Sequence, residues 1–152
     1  MAETQRTLII VKPDAVQRGL IGTILEAFEQ KGLRFVGLKL MQIDRGMAER
    51  HYGEHQGKPF YEGLVNFITS GPVVAGVIEG PNAVEAVRNL MGATNPVSAS
   101  PGSIRGKYAL EIGQNLVHGS DSTTSAEREV NLFFQPEELL SYRRDVDRWI
   151  AE

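Results

Sequence analysis

The chain has 152 residues, a length that fits one domain with a substantial core, so residues 1–152 are read as a single domain. Hydrophobic residues make up 41% and charged residues 23%, and a formal net charge of −3 gives no general attraction to nucleic acid or anionic membrane. Cysteine is absent, which excludes a disulfide framework and thiol chemistry. No apolar run approaches the roughly 20 residues that span a bilayer, and the polar N-terminus is unlike a signal or transit peptide. A cytoplasmic protein is expected.

Residues 7–12 are a β-rich run that ends at Pro13, which cannot donate to a sheet ladder. This strand delivers Lys12 to its C-terminal edge. Ile24, Leu25, Ala27 and Phe28 at helical spacing predict a helix over 22–31, stopped by Gly32. Residues 33–42 read as a second strand. Asp44 is the expected N-cap of a helix running to about His51. A short helix is expected within 59–69, a third strand over 73–79, and a helix over 83–91, capped by Asn82 and ended by Gly92.

Residues 93–113 differ in kind. Pro96, Pro101, Gly102, Gly106 and Gly113 stand among Ser and Thr, which reads as a long ordered loop with one helical turn. Loops of that length in compact domains usually carry function. Residues 114–117 read as a fourth short strand. Thr124 to Glu127 fits a capping box that opens a helix to about Phe133, and Pro136 starts another helix ahead of the tail. This alternation fits an α+β sheet covered by helices, and it also admits a small doubly wound sheet.

The stretch Asn115-Leu116-Val117-His118-Gly119-Ser120-Asp121 is the most informative in the chain. It sets a histidine at the end of a short apolar strand, among small residues that let a bulky phosphate approach. Imidazole titrates near neutral pH, so a nitrogen lone pair is available to attack phosphorus. Phosphoryl transfer needs positive charge and hydrogen-bond donors around the moving group. Lys12, Arg88 and Arg105 are the candidates, with the Thr94 hydroxyl beside them. Taken singly, each would be an ordinary surface group.

Other phosphate-binding devices are missing. Gly57-Lys58 and Gly106-Lys107 are followed by Pro and Tyr, so neither is a Walker A loop, and no Gly-x-Gly-x-x-Gly follows a strand. His51-Tyr52-Gly53-Glu54-His55 spells the His-x-x-Glu-His of one class of zinc peptidases. Gly53 weakens a helix there, and no third ligand is evident in the sequence. A non-catalytic nucleotide- or nucleic-acid-binding module would account for the basic groups. It gives no reason for His118 among Asn115, Gly119 and Ser120, and it would call for a more basic face.

The pattern Asn-x-x-His-Gly-Ser-Asp at 115–121 resembles the active-site signature of nucleoside diphosphate kinases, and the resemblance covers nearly the whole chain. It implies a ferredoxin-like four-stranded antiparallel sheet covered by helices, with a long Gly/Pro-rich loop and a C-terminal tail. It implies transfer of the terminal phosphate of a nucleoside triphosphate to a nucleoside diphosphate, ping-pong, through a phosphohistidine at His118. By the same resemblance Lys12 and Asn115 hold the ribose hydroxyls, with Lys12 also near the phosphates. Tyr52 lies beside the transferred phosphate. Phe60 and Ile112 sandwich the base, position 112 often being Val in relatives. Arg88, Thr94 and Arg105 bind phosphate, and Ser120 and Glu129 orient the histidine.

Phe60 and Ile112 offer surface without a donor–acceptor code, so base specificity should be broad. ATP, GTP and other nucleotides are the expected partners, with no membrane and no obligatory nucleic acid. Mg²⁺ should arrive on the triphosphate and need few protein ligands, with Asp121 a candidate for an outer-shell role. Asp121 could equally be a turn residue bonding its own backbone. A homo-oligomer is expected, a hexamer before a tetramer. The resemblance implies that the long loop sits at subunit contacts and that Glu152 reaches a neighbouring subunit's base.

Overall fold

The computed structural model describes residues 4–152. In chain order the elements are β1 (Thr4–Val11), α1 (Pro13–Gln17), α2 (Ile21–Gln30), β2 (Arg34–Met41), α3 (Arg45–His51), α4 (Tyr61–Ile68), β3 (Val73–Pro81), α5 (Ala83–Met91), α6 (Ile104–Tyr108), β4 (Val117–Gly119) and α7 (Thr123–Phe133). The strands form one four-stranded sheet in the order β2-β3-β1-β4. Every neighbouring pair is antiparallel, which is the ferredoxin-like arrangement and rules out a doubly wound sheet.

Side chains alternate across a strand, and β1 shows what that alternation does here. Ile9 and Val11 enter a core with Ile24, Phe28, Val87 and Met91 from α2 and α5. Leu8 and Ile10 enter a second core with Val65, Ile68, Val130 and Phe133 from α4 and α7. Both faces of the central strands are therefore covered, which is why β1 reads as a continuous apolar run. The helices obey the matching rule. In α7, Ala126, Glu129, Val130 and Phe133 are buried at helical spacing, so Glu129 is a carboxylate carried within an apolar stripe.

A minimal fold of this kind joins its second and third strands tightly. Here residues 42–72 make a long excursion through α3, a 3-10 turn at Gly53–His55, and α4. The excursion packs α3 and α4 on the α7 side of the sheet and brings His51, with Tyr52 beside it, against His118 of β4.

Several local expectations are corrected. The fourth strand is Val117–Gly119 rather than 114–117, so His118 lies within it, paired with Ile10 of β1. Leu116 explains the shift: its left-handed backbone (φ 75°) cannot belong to a strand. Pro13 not only ends β1 but opens α1, where its missing N–H costs nothing. Asn82 precedes α5 but makes no side-chain cap, because its φ of 51° is not the extended backbone that capping needs. Gln5 Oε1 accepts from Val84 N instead, at 3.2 Å. The capping box placed at Thr124 and Glu127 is replaced by Ser122, whose Oγ accepts from Ser125 N. Asp44 does cap α3 through Met47 N at 2.8 Å. The long loop holds a 3-10 turn at Pro96–Ser98 as well as α6, and the element after Pro136 is only a 3-10 turn, Pro136–Glu138.

The tail folds back along β2. A bulge sets Val36 out of register between Phe35 and Gly37, and the Val36 carbonyl accepts from Leu140 N at 2.8 Å. A Cβ on Gly37 would come within 2.9 Å of Leu139, so glycine makes room for this segment. Farther on, Arg144 donates to the carbonyls of Gly32 and Leu33, and Arg34 pairs with Asp147 at 3.0 Å.

Candidate active site

The approach to His118 is pinned by backbone and side-chain bonds. Lys12 N donates to Leu116 O at 2.9 Å. Asp14 Oδ2 accepts from Leu116 N at 3.1 Å. These bonds hold a fully buried leucine in a left-handed conformation, which costs about 1–3 kcal/mol. Beyond the histidine, a Cβ on Gly119 would fall 2.5 Å from Met91 Sδ and 3.0 Å from Val87. Gly119 is therefore required by the close approach of α5, a reason separate from room for a phosphate.

His118 Nε2 donates to Glu129 Oε1 at 2.8 Å. Ser120 Oγ donates to the same oxygen at 2.6 Å and accepts from Leu8 N at 3.3 Å. Burial alone would push the Glu129 carboxyl up. The hydrogen bond and charge of His118, with the Ser120 hydrogen bond, outweigh it and hold the carboxyl at about 2. An ionised carboxylate only accepts, so the proton of a neutral His118 ring sits on Nε2 and the lone pair on Nδ1. Half-buried Tyr52 has its phenol pushed up to about 12 by burial and then by the charge of Glu129. It stays a donor at any ordinary pH.

Arg128 pairs with Glu129 Oε2 at 3.6 Å, and Lys12, Arg88 and Arg105 bond to the backbone and side chains around β4. Lys12 Nζ donates to Asn115 Oδ1 at 2.8 Å, and Asn115 Nδ2 donates to Thr94 O at 3.0 Å. Burial, then the positive charge of Arg105, lowers Lys12 to about 8. Arg88 is exposed and donates to Gly119 O at 3.2 Å. Arg105 is 4% exposed, and its guanidinium donates to the carbonyls of Asn115, Gly92 and Val117 at 3.2, 3.0 and 2.6 Å. Burial, then Arg88, lowers it to about 10, so it keeps its charge. Three of the five N–H donors of the guanidinium are engaged, which leaves two.

Phe60 and Ile112 are large apolar side chains left 50% and 59% exposed. The His55 ring meets Phe60 edge-on at 5.3 Å, and Lys58 Nζ lies 5.8 Å from the same ring. Thr94 and Asp121 are exposed beside the loop and beside Ser120. The His-x-x-Glu-His pattern comes apart in three dimensions. Helix α3 ends at His51 and a 3-10 turn follows, so the two histidines part. His55 goes to Phe60, while His51 packs against the His118 ring with centroids 4.8 Å apart.

Asp14 and His51 belong to this neighbourhood and were not among the sequence-derived site residues. Asp14 carried a signal, an acidic residue directly after Lys12-Pro13. The signal of His51 was absorbed by the zinc-peptidase pattern.

An imidazole held by an ionised carboxylate, with Lys12, Arg88 and Arg105 bonded to the segment that carries it, is equipped to take and return a phosphoryl group, which is the chemistry of a phosphotransferase. The profile of the nucleoside diphosphate kinase family matches residues 5–139. A nucleoside diphosphate kinase of Thermomicrobium roseum is 66% identical over 146 residues, covering 96% of this chain and 98% of that protein. One from Carboxydothermus hydrogenoformans is 62% identical over 148 residues, covering 97% and 99%. Among solved structures, a halophilic nucleoside diphosphate kinase of Halobacterium salinarum, determined in complex with CDP, has a TM-score of 0.96 at 53% identity. It covers 99% of this chain and 100% of that one. The chain belongs to the nucleoside diphosphate kinase family. It moves the terminal phosphate of a nucleoside triphosphate to a nucleoside diphosphate and, as a member of that family, uses a divalent metal.

Proposed function

We propose that transfer runs ping-pong through a phosphohistidine on Nδ1 of His118. The observation that carries this reading is the bond from Nε2 to ionised Glu129, which leaves Nδ1 with the lone pair. Nδ1 attacks the γ-phosphorus, the bond to the β–γ bridging oxygen breaks, and the nucleoside diphosphate leaves. Positive charge gathers on the ring as the N–P bond forms, and Glu129, fixed by Ser120, stabilises it. A second nucleoside diphosphate then takes the phosphoryl group by the reverse path. Initial velocities at several fixed acceptor concentrations should give parallel reciprocal lines. Intersecting lines would mean direct transfer within a ternary complex.

Lys12, Tyr52, Arg88, Thr94 and Arg105 supply donors and charge to the phosphates, and Lys12 with Asn115 holds the ribose. Mg²⁺ would come with the phosphates and would supply positive charge against their oxygens. The donors around His118 fit that arrangement, since Glu129 is already committed to His118 and Ser120. Asp121 follows Ser120 and is exposed, which supports an outer-shell role for it.

The low value at Lys12 gives a pH dependence. Below about 8 the ammonium faces the phosphates as a cation, and above that value its charge is lost. In kcat/KM, which reports the free enzyme, activity should therefore fall as pH rises through about 8. Bound phosphates favour the charged form, so the limb should move to higher pH in kcat. Lys12→Arg keeps its charge and should lose the limb from kcat/KM, whereas a limb that persists there would remove Lys12 as its source.

Exposed Phe60 and Ile112 suit stacking on either face of a base, with weak discrimination among bases. Phe60→Ala should raise nucleotide dissociation constants by roughly one to two orders of magnitude, since a base–aromatic stack is worth ~1–3 kcal/mol. Single-turnover phosphorylation at saturating nucleotide should change less. If neither quantity moved, the stacking role would be wrong.

We read residues 1–152 as one cytoplasmic domain that works as a homo-oligomer, a hexamer before a tetramer. No helix among the described residues is long and apolar enough to cross a membrane. Leu38 and Leu40 on edge strand β2, Val97 and Leu110 in the long loop, and Trp149 in the tail are all large and exposed. Such surface supports subunit contacts. Glu152 follows Trp149 and is placed in the same reading near a neighbouring base. Truncation after Asp147 should lower the mass seen by light scattering before it removes phosphorylation. An unchanged mass and heat stability would contradict a role of the tail in assembly.

A further inference from the structure

The chemistry above makes no use of His51. Its side chain is 4% exposed and neither ring nitrogen has a hydrogen-bond partner. The ring packs edge-on against His118 with centroids 4.8 Å apart, and also against Tyr52 and Phe133. A buried imidazole with both nitrogens idle is an exception in a protein interior. One donor atom each from His51, His118 and Glu129 lie within 4.8 Å of one another. Two imidazoles and a carboxylate are a donor set that zinc takes, with bonds of about 2.0–2.2 Å. A hard cation such as Mg²⁺ prefers oxygen, so the ion that travels with nucleotides does not suit this place.

We propose that Zn²⁺ binds between His51, His118 and Glu129 and switches phosphoryl transfer off. The two rings and the carboxylate come from α3, β4 and α7, so seating the ion draws these elements together around it. Zinc takes the Nε2 lone pair of His118, the position from which that ring otherwise donates to Glu129. A neutral imidazole has one N–H, so the proton moves to Nδ1. The lone pair that would attack phosphorus is gone. His55 takes no part, because its ring packs on Phe60. The blocking step rests on His118 as the nucleophile, whereas zinc binding does not.

The test is a titration of the nucleotide-free, unphosphorylated protein with Zn²⁺, followed through the nitrogen and carbon-bound proton resonances of its three histidine rings. One equivalent per chain should shift His51 and His118 and leave His55 unmoved. The zinc-loaded protein, exposed briefly to ATP and Mg²⁺, should lose phosphoenzyme in proportion to occupancy. His51→Phe keeps a ring against His118 but has no lone pair. It should weaken zinc binding at least about tenfold and restore phosphoenzyme in the presence of zinc. Shifts confined to His55, or no ring shifts at all, would overturn the site. Equal inhibition of native protein and His51→Phe would do the same. Ring shifts at His51 and His118 with undiminished phosphoenzyme would overturn the switch. Should His51→Phe fail to fold, the titration of the native protein decides alone. A native protein that forms no phosphoenzyme even without zinc would count against the nucleophile and leave the zinc site to the ring shifts.

Discussion

His118→Gln is expected to lower nucleotide phosphotransfer by roughly four orders of magnitude or more, the scale seen when a covalent nucleophile is removed. The protein should nevertheless fold. His118 sits in β4 through backbone pairing with Ile10, and its flanking residues Val117 and Gly119 pair with Val11 and Ile9. The imidazole itself is partly exposed, with a side-chain accessibility of 21%, and it bonds to the Glu129 carboxylate. Glutamine can still donate to that carboxylate, so the melting temperature should stay close to that of the native chain. A coupled assay and a thermal melt decide the matter. Retention of a tenth of the activity, or collapse of the fold, would separate His118 from the role given to it.

Arg105→Ala carries the second large effect, and it divides between stability and activity. The guanidinium closes on three carbonyls, at Gly92, Asn115 and Val117, and so ties the long loop to the backbone on either side of Leu116. Hydrogen bonds to a charged group are worth ~1.5–3 kcal/mol each. They do not add fully, so a loss of about 3 kcal/mol or more is expected. In a chain of this length that corresponds to roughly 6–12 °C in melting temperature. The same change removes a cation from the phosphates. Arg88→Ala is the useful contrast, because Arg88 is exposed and donates to one carbonyl, Gly119 O. It should weaken transfer by ~1.5–3 kcal/mol with little loss of stability. If both variants melted alike, the structural half of the Arg105 role would fail.

The sequence carried more of the chemistry than of the local geometry. The 115–121 signature pointed to His118, and the structure brings Asn115 and Ser120 to the same edge of the candidate site because one short contiguous segment builds it. Central strands were legible for the same reason, since Leu8 to Val11 are buried on both faces and read as one apolar run. The direction of the sheet was not legible. Alternating strands and helices leave parallel and antiparallel pairing open, and only the resemblance chose between them. The error at β4 turns on Leu116, whose left-handed backbone is imposed by Lys12 and Asp14, about a hundred positions away in sequence. No local propensity reports such a constraint. The Asn82 cap failed in the same way, since Gln5, opposite Gly80 on the neighbouring strand but distant in sequence, supplies the bond. His51 shows the converse problem. Its spacing to His55 suggested one partner, and the turn at Gly53 gave it another.

The most direct test of the account is the intact mass of the protein after brief exposure to ATP and Mg²⁺, quenched at neutral or basic pH. A gain of one phosphate per chain is expected, discharged by adding GDP or UDP and absent from His118→Gln. A native protein that transfers phosphate between nucleotides yet never gains that mass, or a His118→Gln chain that gains it equally, would contradict the phosphohistidine.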